Sequence, residues 1–321
     1  MRAALFAAAS AGAFVTLDAT TAFAQRALPV APPSRVDSLV ARGRLRAAED
    51  ALYRAVDSNP YAPQARGELG RYLASRARFI IADVLFAEAL RFGADTSSVT
   101  QAMRAIAVFR PEVDRRRIPG LRLSPSEAAR EAARIAARSE SVALVHTAVL
   151  MMFSADGRTI GRFEVRGAGG VRTAVLDPFV QGIALANAAD SALTPRSFGA
   201  TGAGAPLLIP ELYIGDQRLV GVEGRVDVSV PEGEVRIGLD VLWSLQPVFD
   251  ERAGMLRLSP ERKRPTSTSI QIPFALAFPG AWLVPVVGEP PIAIASVRGR
   301  RLLRASRWWW NGPDATIVVD R

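Results

Sequence analysis

Two changes of pattern predict an α+β chain built as two domains. Residues 36 to 110 place small and large apolar residues at a 34-residue offset, the mark of stacked helical hairpins. From about Val142 the apolar period falls to two and Gly and Pro become frequent, the mark of strands joined by turns. The chain has 321 residues, 49% hydrophobic and 22% charged, enough for two modest cores and ordinary for a globular protein.

Residues 1–24 are expected to be a signal peptide. Arg2 is a one-charge start, Ala3 to Leu17 is apolar, and Ala22-Phe23-Ala24 has the small-x-small form of a cleavage site before Gln25. This predicts an exported, periplasmic or extracellular protein, with an uncleaved anchor as the alternative. There is no cysteine, so stability in an oxidising compartment rests on core burial.

Residues 36–115 form the helical part. Gly43, Ala48, Leu52, Ala55 and Pro60 in the first copy are followed by Leu69, Gly70, Ala82, Phe86 and Ala89 in the second. Antiparallel helices approach closely only where small residues face each other; Ala48, Ala55, Ala82 and Ala89 are those residues, with Leu52 and Phe86 filling the space between. A third helix begins near Ser97 without the signature. The spacing resembles tetratricopeptide repeats, which implies a groove for peptides or proteins, with a structural spacer as the alternative. A connector, Arg115 to Gly120, leads to a linker helix at Pro125–Arg138 within residues 121–141, N-capped by Ser124 or Ser126 with Glu127 in its first turn.

The β-rich domain covers residues 142–258. Strands are expected at 143–152, 159–165, 171–176, 206–214, 217–222, 226–230, 248–249 and 255–258. The glycine runs at 167–170 and 199–204 open no helix after a strand, so they do not read as phosphate loops. Residues 259–321 read as a β-rich extension with strands at 270–278, 281–287 and 315–319; it covers an edge of the main domain or begins a second lobe.

The order Val175-Leu176-Asp177, Leu212-Tyr213-Ile214-Gly215, Ile237-Gly238-Leu239-Asp240-Val241-Leu242 and Phe249-Asp250 to Leu258 resembles the retropepsin-like domain of bacterial aspartic proteases. The resemblance runs from about Thr159 to Leu258 and is most specific at Ile237–Leu242. It implies an all-β acid-protease barrel, with Asp177 in the catalytic position and Ile237, Gly238 and Asp240 as structural support of the site. Asp240 is expected to cap a short helix and Asp250 to make a turn. The family follows its aspartate with Thr or Ser and then Gly; here Pro178 and Phe179 stand instead. Two carboxylates sharing a proton around one water need the hydroxyl to tie the loops and the glycine to give room, and Pro178 removes both an N–H and a hydroxyl. The departure implies a pseudoprotease that binds or scaffolds peptides or proteins in the cell envelope. The alternative is an active homodimeric aspartic endopeptidase using Asp177 of each subunit.

Other chemistry is poorly supplied. His146 is the only histidine and lies in an apolar stretch, expected as a partly buried strand residue. Neither a metal site nor a cofactor is expected. Asp227, Glu232 and Glu234 are expected to be solvated. Net charge is +9, with Lys263 the single lysine. The densest basic cluster, Arg298, Arg300, Arg301, Arg304 and Arg307, precedes Trp308-Trp309-Trp310. It reads as a solvated face or as contact with an anionic envelope surface, the rings serving as a headgroup anchor or packing partly inward; no motif supports nucleic acid.

Overall fold

The computed structural model describes residues 35–138, 145–199, 201–277, 280–283, 292–312 and 314–320. The expected signal peptide and the expected strand residues 143–144, 278 and 284–287 lie outside them. N-terminal helices are followed by a β-rich region that contains a barrel, an α+β arrangement.

The helices are α1 Arg35–Ala41, α2 Leu45–Ser58, α3 Pro63–Ser75, α4 Phe79–Arg91 and α5 Thr96–Ile106. Ala48, Leu52, Ala82, Phe86 and Ala89 are all buried. Gly70 faces the Phe86 ring so closely that a Cβ there would collide with it. Ala55 differs from the expectation: it is exposed. Asp95 N-caps α5 through the Ser98 N–H.

A short 3-10 turn, Arg115–Arg117, and helix α6, Pro125–Arg138, lead into the strands. Ser124 and Glu127 exchange hydrogen bonds in a capping box, so Ser124 is the cap. Arg115, at the start of the connector, is buried. Its guanidinium grips Glu131 of α6 at 2.6 Å, and Arg134 binds the same carboxylate at 2.6 Å while donating to the Pro111 and Val113 carbonyls. Burial pushes the Glu131 carboxyl up, but the hydrogen bonds from Arg134 and Arg115 outweigh it and hold the pKa at about 2. Arg115 also pairs with Glu223 on a strand, fastening this corner to the sheet.

Two eight-stranded sheets follow. One runs β2 (Met152–Phe153), β3 (Gly161–Gly167), β4 (Gly170–Leu176), β9 (Glu234–Ile237), β5 (Ile183–Leu185), β8 (Gln217–Val226), β7 (Pro206–Ile214), β6 (Arg196–Ser197), and a further pairing of β3 with β7 curls it towards closure. The other runs β1 (Thr147–Leu150), β11 (Met255–Leu258), β10 (Val248–Asp250), β15 (Arg307–Asn311), β16 (Thr316–Asp320), β12 (Ile270–Ala277), β13 (Gly280–Leu283), β14 (Ile292–Ala293). Residues 217–226 are one strand, and the expected separate strand at 226–230 is a turn.

Residues 307–320 pair β15 onto β10 and so extend the sheet. Trp308, Trp309 and Trp310 are all buried in β15, which removes them as a headgroup anchor. Trp308 stacks on Phe249 with ring centroids 4.0 Å apart. Helix α7, Leu239–Trp243, ends in Trp243, whose ring meets Phe79 and Phe109 of the helical part at 5.9 and 5.4 Å and Phe274 and Trp310 of the last strands at 6.2 and 5.5 Å. One hydrophobic core therefore runs from the helices into both sheets.

Two outcomes test this packing by urea unfolding. Trp243→Ala removes the ring that touches four others, and a loss of about 3–5 kcal/mol is expected. Glu131→Gln leaves Arg115 and Arg134 short of their charge partner, and a loss of about 3 kcal/mol or more is expected at neutral pH. That difference is fully present above the usual glutamate pKa and is lost as pH falls through about 2, the folded value.

Candidate functional site

Asp177 follows β4, where the chain leaves the sheet. β4 lies parallel to β9, with Leu176 opposite Ile237, and the Asp177 N–H donates to the Ile237 carbonyl at 2.9 Å. Beyond the turn, β5 pairs with the other side of β9, Ile183 opposite Ile237. The Gly238 N–H reaches the Gly182 carbonyl at 2.8 Å, and the Gly182 N–H donates to the Asp240 carboxylate at 2.9 Å. Gly238 has no alternative: a Cβ would strike the Val180 carbonyl oxygen and the Asp240 carboxylate. Ile237, Gly238 and Asp240 are thus brought together behind the loop that carries Asp177.

The carboxylate itself faces inward. Asp177 is 1% exposed. Its Oδ1 accepts the Phe179 N–H at 2.9 Å, a local turn of the aspartate onto its own backbone. Its Oδ2 accepts no hydrogen bond from the described residues and lies 3.7 Å from Arg158 Nε and 4.0 Å from Arg236 Nη1. Pro178 is buried and Phe179 half-buried. Burial raises the Asp177 pKa, against the pull of the Phe179 N–H and the two arginines.

Arg158 and Arg236 were not singled out by sequence. Arg158 sits in a turn organised by Asp156, which accepts the Arg158 and Thr159 N–H groups at 2.9 and 2.8 Å. Asp156-Gly157 was a readable turn signal, but nothing local says that its arginine crosses to Asp177. Arg236 alternates with buried Val235 and Ile237 along β9, and the parallel pairing with β4 brings it beside Val175.

Asp240 occupies the first turn of α7 and borders the cavities between the helices and β8. Burial, with nearby Glu223 adding to it, pushes its pKa up to about 7 despite the Gly182 N–H. Asp250 is buried; it accepts the Ala253 N–H at 3.1 Å in a turn and pairs with Arg307 at 3.0 Å.

Three expectations are corrected. His146 is exposed, just ahead of β1, rather than partly buried in a strand. Glu234 is paired with Arg162 at 2.7 Å rather than merely solvated. Within the basic cluster, Arg298, Arg301, Arg304 and Arg307 are exposed, but Arg300 is buried against Glu251 and cannot serve a surface contact.

No protein-family model matches the chain, and no curated protein does. Among solved structures, the chain is similar to a retropepsin-like aspartic protease from Rickettsia conorii, with 14% identity over 36% of this chain and 91% of that one, at a TM-score of 0.29.

The arrangement around Asp240 makes a stability prediction. An aspartate whose folded pKa lies at about 7 binds its proton more tightly folded than unfolded, so stability is lost as pH rises from the ordinary aspartate value of about 3.9 through about 7. Asp240→Asn keeps an oxygen for the Gly182 N–H and carries no charge. It is expected to be more stable than the wild type at and above neutral pH, with the difference vanishing below the ordinary aspartate range. Thermal unfolding of both proteins across that range checks this.

Proposed function

We propose that this is an exported, catalytically silent protein that binds peptides or proteins, with a retropepsin-like β domain kept as scaffold and tetratricopeptide-like helices beside it. One observation carries the loss of catalysis: Asp177 is sealed in, 1% exposed, with Oδ1 turned onto the Phe179 N–H and Oδ2 towards the charges of Arg158 and Arg236. Acid-protease chemistry needs two carboxylates that share a proton and hold one water between them. A carboxylate without solvent access reaches neither a water nor a second aspartate. The Asp177 Oδ2 accepts no hydrogen bond from the described residues and faces two cations, whose pull works against the proton that burial favours.

Binding is supported by the helical part. The 34-residue offset places Ala48 and Ala82, and Leu52 and Phe86, in equivalent buried positions. Export is supported by the composition of residues 1–24. Among the described residues, no helix is long and apolar enough to cross a membrane.

The competing reading, a homodimeric endopeptidase with Asp177 of each subunit, separates cleanly by experiment. A peptide library incubated with wild type and Asp177→Asn at acidic and neutral pH is expected to remain intact with both, as read by mass spectrometry. Cleavage by the wild type that disappears in Asp177→Asn would establish the endopeptidase and reject the silent site.

A further inference from the structure

Residues 147–153 supply the end strand of each sheet: β1 closes one and β2 the other. β1 pairs on one side with β11, Thr147 opposite Leu258 and Leu150 opposite Met255. The Met151 N–H, one residue on in the same register, donates to the Gly254 carbonyl at 2.7 Å. Antiparallel pairing alternates, so Thr147 and Val149 bond towards β11 while Ala148 and Leu150 turn their N–H and C=O groups outward. Among the described residues, no other strand pairs with that outward edge.

Edges of this kind are usually guarded by a charge, a proline or a bulge. β1 reads Thr-Ala-Val-Leu and carries none of these. Around it the exposed surface is apolar: Leu150 is 77% exposed, Met152 73% and Val171 51%. These three side chains line a groove of about 940 Å³ that runs over β1 to β4. A second groove, of about 740 Å³, borders the other end of β1 at His146 and Ala148. The basic residues of the two walls are Arg162 and Arg166 in the first and Arg257, Arg262, Lys263 and Arg307 in the second, with Glu164 and Glu261 as the acidic ones; Arg162 already pairs with Glu234 and Lys263 with Asp320. Arg257 and Arg307 moreover share one carboxylate, that of Asp250.

We infer that the open edge of β1 binds an extended, acidic segment of a partner protein, which adds as a strand beside Ala148 and Leu150. Main-chain hydrogen bonds to the outward edge supply the pairing, and alternate side chains of the guest choose the surface. Apolar side chains meet Leu150, Met152 and Val171; carboxylates meet the arginines. A second copy of this chain fits poorly, since symmetric pairing of β1 with itself brings two basic rims together. The inference rests on the reading of the chain as a binding protein, and it names the partner's chemistry.

The test uses two short synthetic peptides, one alternating valine and glutamate, the other valine and lysine, with binding followed by fluorescence anisotropy and each peptide weighed afterwards. The glutamate peptide is expected to bind, more weakly as salt is raised, and the lysine peptide not to bind. Leu150→Pro removes an outward N–H, which an edge strand tolerates, together with the exposed leucine side chain, and is expected to weaken binding about tenfold. The pair Arg166→Glu and Arg262→Glu, one exposed residue from each groove, is expected to weaken it at least as much, and stands in if the proline variant unfolds. Equal affinity for the two peptides, binding of neither, or binding unchanged in both variants overturns the inference. So does a dimer, seen by sedimentation, that dissociates in Leu150→Pro, which assigns the edge to a second copy. A glutamate peptide that binds at this edge but is recovered cut overturns the silent-protease reading instead and leaves the edge standing.

Discussion

The ring of Trp243 is the contact on which the rest of this structure depends. It ends the short helix α7 and touches Phe79 and Phe109 from the helical part and Phe274 and Trp310 from the last strands. Each such aromatic pair is worth about 0.5–1.5 kcal/mol beyond the area it buries. Together these four exceed what a single surface ion pair contributes. The same helix begins at Gly238, against the loop of Asp177, and its Asp240 holds the Gly182 N–H. The brace behind the aspartate is thus also the post on which helices and late strands meet.

Two buried carboxylates show how differently this protein treats charge. Glu131 is surrounded by donors, the Arg115 N–H and the guanidinium groups of Arg115 and Arg134, and is held strongly acidic. Asp177 has one N–H on one oxygen, two arginines at the far limit of an ion pair, and a raised pKa. A buried charge is tolerable when its lone pairs are met and costly when they are not. Glu131 therefore belongs to the architecture. Asp177 costs stability that its surroundings only partly offset.

What sequence could reveal followed the range of the interactions involved. The bounds of β7, β11 and α6 were legible, because alternation, a proline start and a capping box are local. The brace of Asp177 was legible only through a resemblance, since Leu176 meets Ile237 across sixty-one residues. The Glu131 network was not legible: Arg115-Arg116-Arg117 reads only as a connector until the fold carries Arg115 to Glu131 and Glu223. The tryptophan run misled for a related reason. Three consecutive aromatic residues in a strand point to both faces, and burial of all three needs cover on each, from Phe249 and Trp243 on one side and from the 259–268 segment, through Lys263 over Trp309, on the other.

That cover also decides where the molecule meets others. β15 pairs against β10, with β16 beyond it, and makes an interior strand of what was otherwise an edge. Chain beyond Leu258 thereby closes one side of the sheet, while among the described residues β1 stays open on the other with apolar side chains and a basic surround. A protein that had only to be stable could have guarded this edge with one charged residue at Ala148 or Leu150, at little cost to a solvent-facing position. The edge is instead bare where the arginines are dense. In the binding proposed above, the net positive charge of the protein works against pairing of this strand with its own copies and in favour of an acidic chain.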